Sequence, residues 1–159
     1  MKAAAPKVAA PSSPFSILNA SPRDLPALWR LEREAFARDA WPLLDLIAVL
    51  GWPGVVRLKA VDEEHRMLGF VAGEVRHGVG WIATLAVAAS HRRRGIGRAL
   101  LEACEARLPA SLPIRLTVRR DNLPAIRLYR TAGYRPIAVW PRYYVDRSDA
   151  LVMEKPPRG

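Results

Sequence analysis

The sequence predicts a single α+β domain built on a sheet. Three observations carry that expectation. Half of the 159 residues are hydrophobic, enough for one sizeable core in a chain of this length. Some stretches alternate apolar and polar residues, while others repeat them at helical spacing. The two kinds of stretch do not alternate one for one. Three strand-like segments follow one another between residues 55 and 87, which a strict strand–helix–strand chain would not show.

Residues 1–14, MKAAAPKVAAPSSP, are rich in Ala, Pro and Ser and are expected to form a disordered tail. One domain is expected over 15–155. Phe15 to Asn19 is a short strand candidate. Ser21-Pro22 then supplies an N-cap and a proline at the first helical position, with Asp24 in the first turn. Leu25, Leu28, Trp29, Leu31 and Phe36 form a helical stripe to about residue 37. Trp41-Pro42 breaks the chain, and Leu43 to Leu50 reads as a second short helix ended by Gly51. Val55 to Val61, Gly69 to Val75 and Gly80 to Val87 are strands, with a polar turn at 62–66. A helix follows from residue 95, its stripe being Ile96, Leu100, Cys104 and Leu108. Pro113 to Val118 is a strand, and Arg119-Arg120-Asp121-Asn122 a polar turn. Leu123 to Ala132 is a helix with Pro124 in its first turn and Gly133 just past its end. Tyr134 to Trp140 is a strand, Pro141 to Ser148 a loop, and Ala150 to Glu154 the last strand.

Composition excludes several classes. No apolar run approaches the ~20 residues that span a membrane, and no signal-peptide core is visible, so no membrane partner is expected. The lone Cys104 excludes an internal disulfide framework and fits a reducing, cytoplasmic setting. On an apolar stripe it reads as a packing residue more readily than as a nucleophile. His65, His77 and His91 lack metal-ligand spacing, so no metal is expected. The net charge of +10 is uneven: thirteen arginines and four acids lie between His91 and Arg147. Such a surface suits a polyanionic cofactor, nucleic acid or an acidic partner. Zinc spacing, aromatic RNA-binding motifs and basic heptads are absent, so no specific nucleic-acid module is expected. Monomer and dimer are both open.

The most informative stretch is 85–108. Its apolar strand runs into Arg92, Arg93 and Arg94, then Gly95-Ile96-Gly97, then a helix. Backbone amides at a helix start can hold an anion, and the helix dipole disfavours cations there by a few tenths to about 1 kcal/mol. Three arginines at that end are locally frustrated unless an anion binds; a solvated basic loop is the other reading. There is no Gly-Lys-Ser/Thr, so the turn is not a Walker loop, and Leu100 stands where a dinucleotide fingerprint needs its third glycine.

Arg92-Arg93-Arg94-Gly95-Ile96-Gly97 resembles the acetyl-CoA motif of the GNAT (Gcn5-related) N-acetyltransferases, Arg/Gln-x-x-Gly-x-Gly/Ala. Residues 116–134 resemble that family's second signature. They read Leu116-Thr117-Val118-Arg119-Arg120-Asp121-Asn122, then Ala125-Ile126-x-Leu128-Tyr129-x-x-x-Gly133-Tyr134. With Tyr143-Tyr144 and Asp149-Ala150, the pattern is most similar to ribosomal-protein alanine N-acetyltransferases and related N-terminal acetyltransferases. The element order, β-α-α-β-β-β-α-β-α-β-β, is the family's order, which implies a mixed, mostly antiparallel sheet flanked by helices.

The resemblance implies a cofactor, acetyl-CoA, with the strand at Leu85, Ala86 and Val87 along its pantetheine arm. The turn from Arg92, Arg93 and Arg94 through Gly95, Ile96, Gly97 and Arg98 would hold its pyrophosphate. It implies direct acetyl transfer to an amine, that of a peptide or protein N-terminus, with a small-molecule amine or a catalytically weak CoA-binding protein as alternatives. Tyr129 matches the tyrosine that supplies a proton to the departing thiolate; by itself it reads as a core aromatic beside Ile126. Asn122 matches a residue that bonds the pantetheine arm, and also suits a plain N-cap. Tyr143 and Tyr144 match a substrate-gripping loop. Thr117 departs from the pattern, because the alanine N-acetyltransferases carry a glutamate there as general base. Either Glu74 or His77 replaces it through a water, or no strong base is needed. An α-amine near pKa 8 is partly neutral at neutral pH, whereas a lysine near 10.4 is about 0.1% neutral, so such a site leans towards α-amines.

Overall fold

The computed structural model describes residues 14–159; the tail expected over 1–14 lies, through residue 13, outside the described residues. Strand β1 (Ser16–Asn19) leads through a one-turn 3-10 helix (Pro22–Asp24) into helix α1 (Leu25–Phe36). The expected helix start at Ser21-Pro22 is thus a tighter turn. The reason is Pro26: it has no N–H to offer the Pro22 carbonyl, which takes the Leu25 N–H instead. Asp24 fixes this corner, accepting from the Ser21 N–H at 2.8 Å and from Lys59 Nζ at 2.7 Å. A second 3-10 turn (Ala37–Asp39) connects to helix α2 (Leu43–Gly51).

Strands β2 (Val56–Val61), β3 (Met67–Arg76) and β4 (Val79–Val87) follow, then helix α3 (Ile96–Arg107), strand β5 (Ile114–Arg119) and helix α4 (Leu123–Thr131). Strands β6 (Arg135–Trp140) and β7 (Ala150–Lys155) complete a seven-stranded sheet ordered β1-β2-β3-β4-β5-β7-β6. Every neighbouring pair is antiparallel except β4 and β5. Exposed β6 closes one edge and carries Pro136, which has no N–H to give a further strand.

The sheet separates two cores. On one face Ile96, Leu100, Leu101 and Cys104 of α3 meet Ile126 and Tyr129 of α4 and the sheet residues Val71, Leu116 and Val118. On the other, Leu28 and Leu31 of α1 and Leu46, Val49 and Leu50 of α2 cover Phe70, Ala72 and Ala86. Cys104 is a packing residue, as its place on the stripe implies; burial pushes its thiol up to about 12.

One irregularity decides what β4 presents to each face. Ala72 pairs with Thr84 but Gly73 pairs with Ile82, leaving Ala83 as an extra residue. Ile82 packs in the α3/α4 core, while Thr84 two residues on reaches α1, where its Oγ1 donates to Glu32 Oε1 at 2.8 Å. In a regular strand those residues would share a face; the bulge inverts them. Burial pushes the Glu32 carboxyl above its ordinary range.

Helix α3 lies close to β3 because Gly69 has no side chain. A Cβ there would stand 2.8 Å from Leu100 Cδ1 and 3.0 Å from the Ala86 carbonyl oxygen. The second contact is backbone, so rotamer changes do not relieve it. Gly69→Ala is therefore expected to destabilise the fold by about 1–3 kcal/mol, read from urea unfolding.

Candidate active site

Strands β4 and β5 run parallel but pair only at Gly80 with Ile114 and Trp81 with Arg115. Beyond those two pairs they diverge. From Ile82 onward, no strand among the described residues pairs with the β5-facing edge of β4. The wedge between them opens into a cavity of about 640 Å³. Ile82 to Leu85 form one wall and Leu116 to Arg119 the other, with Asn122, Ala125 and Tyr129 of the following turn and helix closing it.

The structure brings together around this one cavity Glu74, His77, Leu85, Thr117, Asn122, Tyr129, Tyr143 and Tyr144, eight residues singled out from sequence. Tyr129 is placed by helical spacing on the inward face of α4, 8% exposed, its ring 5.9 Å from that of Tyr134 in an edge-on arrangement. Burial first, and then the nearby Tyr144 hydroxyl, push its phenol well above the ordinary tyrosine value. Tyr129 is therefore neutral across the physiological range and always carries its proton. It is also a weaker acid than a free phenol. Full proton transfer from such a phenol to a thiolate is uphill, whereas hydrogen-bond donation is not.

Asn122 does what an N-cap does, its Oδ1 accepting from the Ala125 N–H at 3.3 Å, while also lining the cavity. Thr117 lies beside Tyr144, whose phenol is raised by burial and pulled back by the Thr117 hydroxyl. Glu74 leaves β3 on the cavity side, 3.1 Å from Arg76, and His77 occupies the β3–β4 turn with φ 49°.

The 92–98 turn lies outside the cavity, at the far end of β4. Arg92, Arg93 and Arg94 are exposed and make no ion pair among the described residues, whereas Arg98 pairs with Glu102 at 2.9 Å. Gly95 is the N-cap of α3 at φ 80°, with no side chain capping the helix, so the first-turn amides face outward without protein acceptors. Ala86 points into the α1/α2 core and can offer a ligand only its backbone; the Val87 side chain packs on the opposite face.

Sequence reasoning missed the lining contributed by Phe36, Asp39, Trp41, Trp81, Arg119 and Trp140. Arg119 organises the site. Its Nε and Nη2 bond Asp39 at 2.6 and 2.9 Å, and its Nη1 bonds Asp146 at 3.0 Å. Its guanidinium also stacks 4.4 Å from the Tyr144 ring centre. One side chain thus joins the α1–α2 connection to the β6–β7 loop across the cavity mouth. The Asp146 carboxyl is held well below the usual carboxylate range by Arg119 and the Ser148 bonds. An aromatic row, Trp81, Trp140, Tyr143 and Tyr144, continues the wall with ring centres 5.0–5.9 Å apart.

This fold is that of known proteins. The family model described as Acetyltransferase (GNAT) family matches residues 25–134, more than half of the chain. The chain belongs to the GNAT acetyltransferase family. It is 34% identical over 139 residues to an uncharacterised N-acetyltransferase of Methanocaldococcus jannaschii, covering 85% of this chain and 87% of that one. It is 31% identical over 147 residues to the ribosomal protein bS18 alanine N-acetyltransferase of Salmonella typhimurium, covering 89% and 96%. The crystal structure of the ribosomal-protein-S18-alanine N-acetyltransferase from Escherichia coli superposes with a TM-score of 0.79 at 27% identity, covering 91% of this chain and 95% of that one. The GNAT fold expected from the element order is the fold observed, and the acetyltransferase is an α+β enzyme whose sheet opens a wedge at its parallel pair.

If Arg119 couples the two loops, Arg119→Ala should release both. Amide hydrogen exchange in residues 37–41 and 142–148 is expected to accelerate about tenfold or more, with α3 unaffected. Unchanged exchange would show that the loops hold themselves.

Proposed function

We propose that this acetyltransferase moves the acetyl group of acetyl-CoA to the α-amine of a protein or peptide N-terminus, in the cytoplasm. The observation that carries the reading is the wedge itself: an unpaired β4 edge on one side, and on the other a mouth framed by the two loops that Arg119 joins. The likeness over nearly the whole chain to enzymes named as alanine N-acetyltransferases supports it. Among the described residues no helix is long and apolar enough to cross a membrane, and the lone thiol fits a reducing compartment.

The residues present fit acetyl-CoA. The unpaired edge of β4 offers backbone donors and acceptors to an extended chain carrying amides, which is what the pantetheine arm is. The uncapped first turn of α3, with three unpaired arginines before it, offers amides and cations to a pyrophosphate. When bound, acetyl-CoA supplies a thioester carbonyl, an acetyl group already activated for transfer. Leu85 and the neighbouring backbone hold the arm, Arg92 to Arg98 hold the phosphates, and Asn122 bonds the arm while capping α4. Tyr129 keeps its proton in a dry pocket and donates a hydrogen bond where thiolate charge develops. Tyr143, Tyr144 and the residues around Trp41 orient the acceptor amine. Glu74, on the cavity wall, takes the amine's proton through a water, with His77 at the rim. Thr117 cannot take that proton, so the acceptor should be an amine that gives it up readily.

Mass spectrometry of peptides beginning with Ala, Ser, Met or Asp, with a polyamine and an internal-lysine peptide as controls, tests the acceptor. Acetylation confined to α-amines is expected; acetylation of the polyamine alone would overturn the reading. Tyr129→Phe is expected to lower kcat roughly a hundredfold while CoA affinity changes less than about threefold. Unchanged turnover would remove Tyr129 from the chemistry. At the turn, a Cβ on Gly95 meets no atom within 4 Å, so a substitution there acts through its φ of 80° alone. Gly95→Val should weaken CoA binding about tenfold or more by calorimetry, because a β-branched residue resists that backbone.

A further inference from the structure

A second cavity of about 370 Å³ opens beside the first, between α2 and the sheet. It shares Trp41, Glu74 and Ala83 with the wedge, so the two lie side by side across those residues. Its remaining walls are Ala48, Val49, Val55 and the ring of Trp52, and its other charged group is Asp45. Trp52 is 66% exposed, a large ring left standing in solvent. This surface departs from the rest of the chain. The protein carries 25 lysines and arginines, yet from Trp41 to Val56 the sole charged residue is Asp45. Asp45 makes no ion pair among the described residues. The nearby cations are engaged elsewhere, Arg57 on the Val49 and Trp52 carbonyl oxygens and Arg76 on Glu74.

An apolar side chain entering this space would leave the exposed Asp45 carboxylate without a counter-charge, and an acidic one would meet like charge. A side chain with an aliphatic stem and a cationic end satisfies every wall at once. Its stem lies on Ala48, Val49 and Val55, while its tip meets Asp45 and the faces of two indoles. The geometry points to this cavity as a specificity subsite for a lysine or arginine within the first few residues of the acceptor. The substrates are then N-termini with a basic residue shortly behind the acetylated amine. The inference rests on the N-terminal reading above, and extends the acceptor path from the wedge past Trp41 onto α2.

The test is a set of Ala-starting peptides with lysine moved through positions two to four, each matched to a methionine and a glutamate peptide, with kcat/KM measured by mass spectrometry. At one position lysine is expected to exceed methionine about tenfold or more, with glutamate poorest. In Asp45→Asn the lysine-to-methionine ratio should fall to within about threefold, and in Asp45→Lys glutamate should become the preferred residue. Damage to α2 alone would lower lysine and methionine peptides together and leave the ratio intact, which would overturn the subsite. Equal rates for lysine and methionine at every position in the unaltered protein would also overturn it while the N-terminal reading stands. No acetylation of any peptide by protein that still binds CoA would overturn both.

Discussion

The large cavity of this sheet follows from two strands that do not stay together. β4 is bound along its length to β3, and β5 is paired through all six of its residues to β7. Each strand follows the twist of its own half of the sheet. The parallel contact between the halves lasts for two residue pairs and then fails. The Ala83 bulge sits two residues past the last β4–β5 pair, Trp81 with Arg115, and a bulge increases local twist. A parted sheet exposes backbone groups that must be satisfied by something other than a strand. The wedge is therefore the joint of the sheet with the fewest strand pairs among the described residues, and it leaves an edge of β4 without a strand partner.

The same parting explains the importance of Arg119. It is the last residue of β5 and stands where the halves are widest apart. Its bidentate contact with Asp39 and its bonds to Asp146 reach from the α1/α2 layer to the β6–β7 loop. A guanidinium can do this because its donors form a rigid fork and its face can stack on Tyr144; a lysine would supply a single point charge. The contact is partly shielded, each partner's side chain being about one-fifth exposed in the Arg119–Asp39 pair. It holds the mouth to a defined width without filling it.

Much of this was legible in the sequence, and the exceptions have physical causes. The element order and the 92–98 turn follow from periodicity, capping residues and glycine spacing, all of which are local. The late onset of α1 was also local, but it required noticing that Pro26 withholds the bond that Pro22 needs. The bulge was not legible. Ala83 lies in an apolar run with no glycine or proline to mark it, and only its pairing with β3 reveals the extra residue. Arg119 was in plain view within a signature, yet its partner Asp39 is 80 positions away and nothing local couples them. Trp41 read as a breaker because Pro42 follows it, and the same ring turned out to be the shared wall of two cavities. Tyr129 read two ways, as a core aromatic or as a proton donor; the structure shows it buried like a core residue while lining the wedge.

The two faces of the wedge also divide the charge. Unpaired arginines gather at the far end of β4, where a helix start alone would disfavour them, while α2 and the hairpin side contribute Asp45 and Glu74. An anionic cofactor and a cationic amine would thus approach from opposite ends, each drawn to its own side and repelled by the other. Between them the chain places neutral groups: the Tyr129 phenol, pinned in its protonated form by burial, and Thr117 where a carboxylate would be expected. A site of this kind has little capacity to strip a proton from a strongly basic amine at its centre. Its economy lies in bringing together two partners whose own acidities already suit the exchange, and in excluding, by charge and by the fixed mouth, those whose acidities do not.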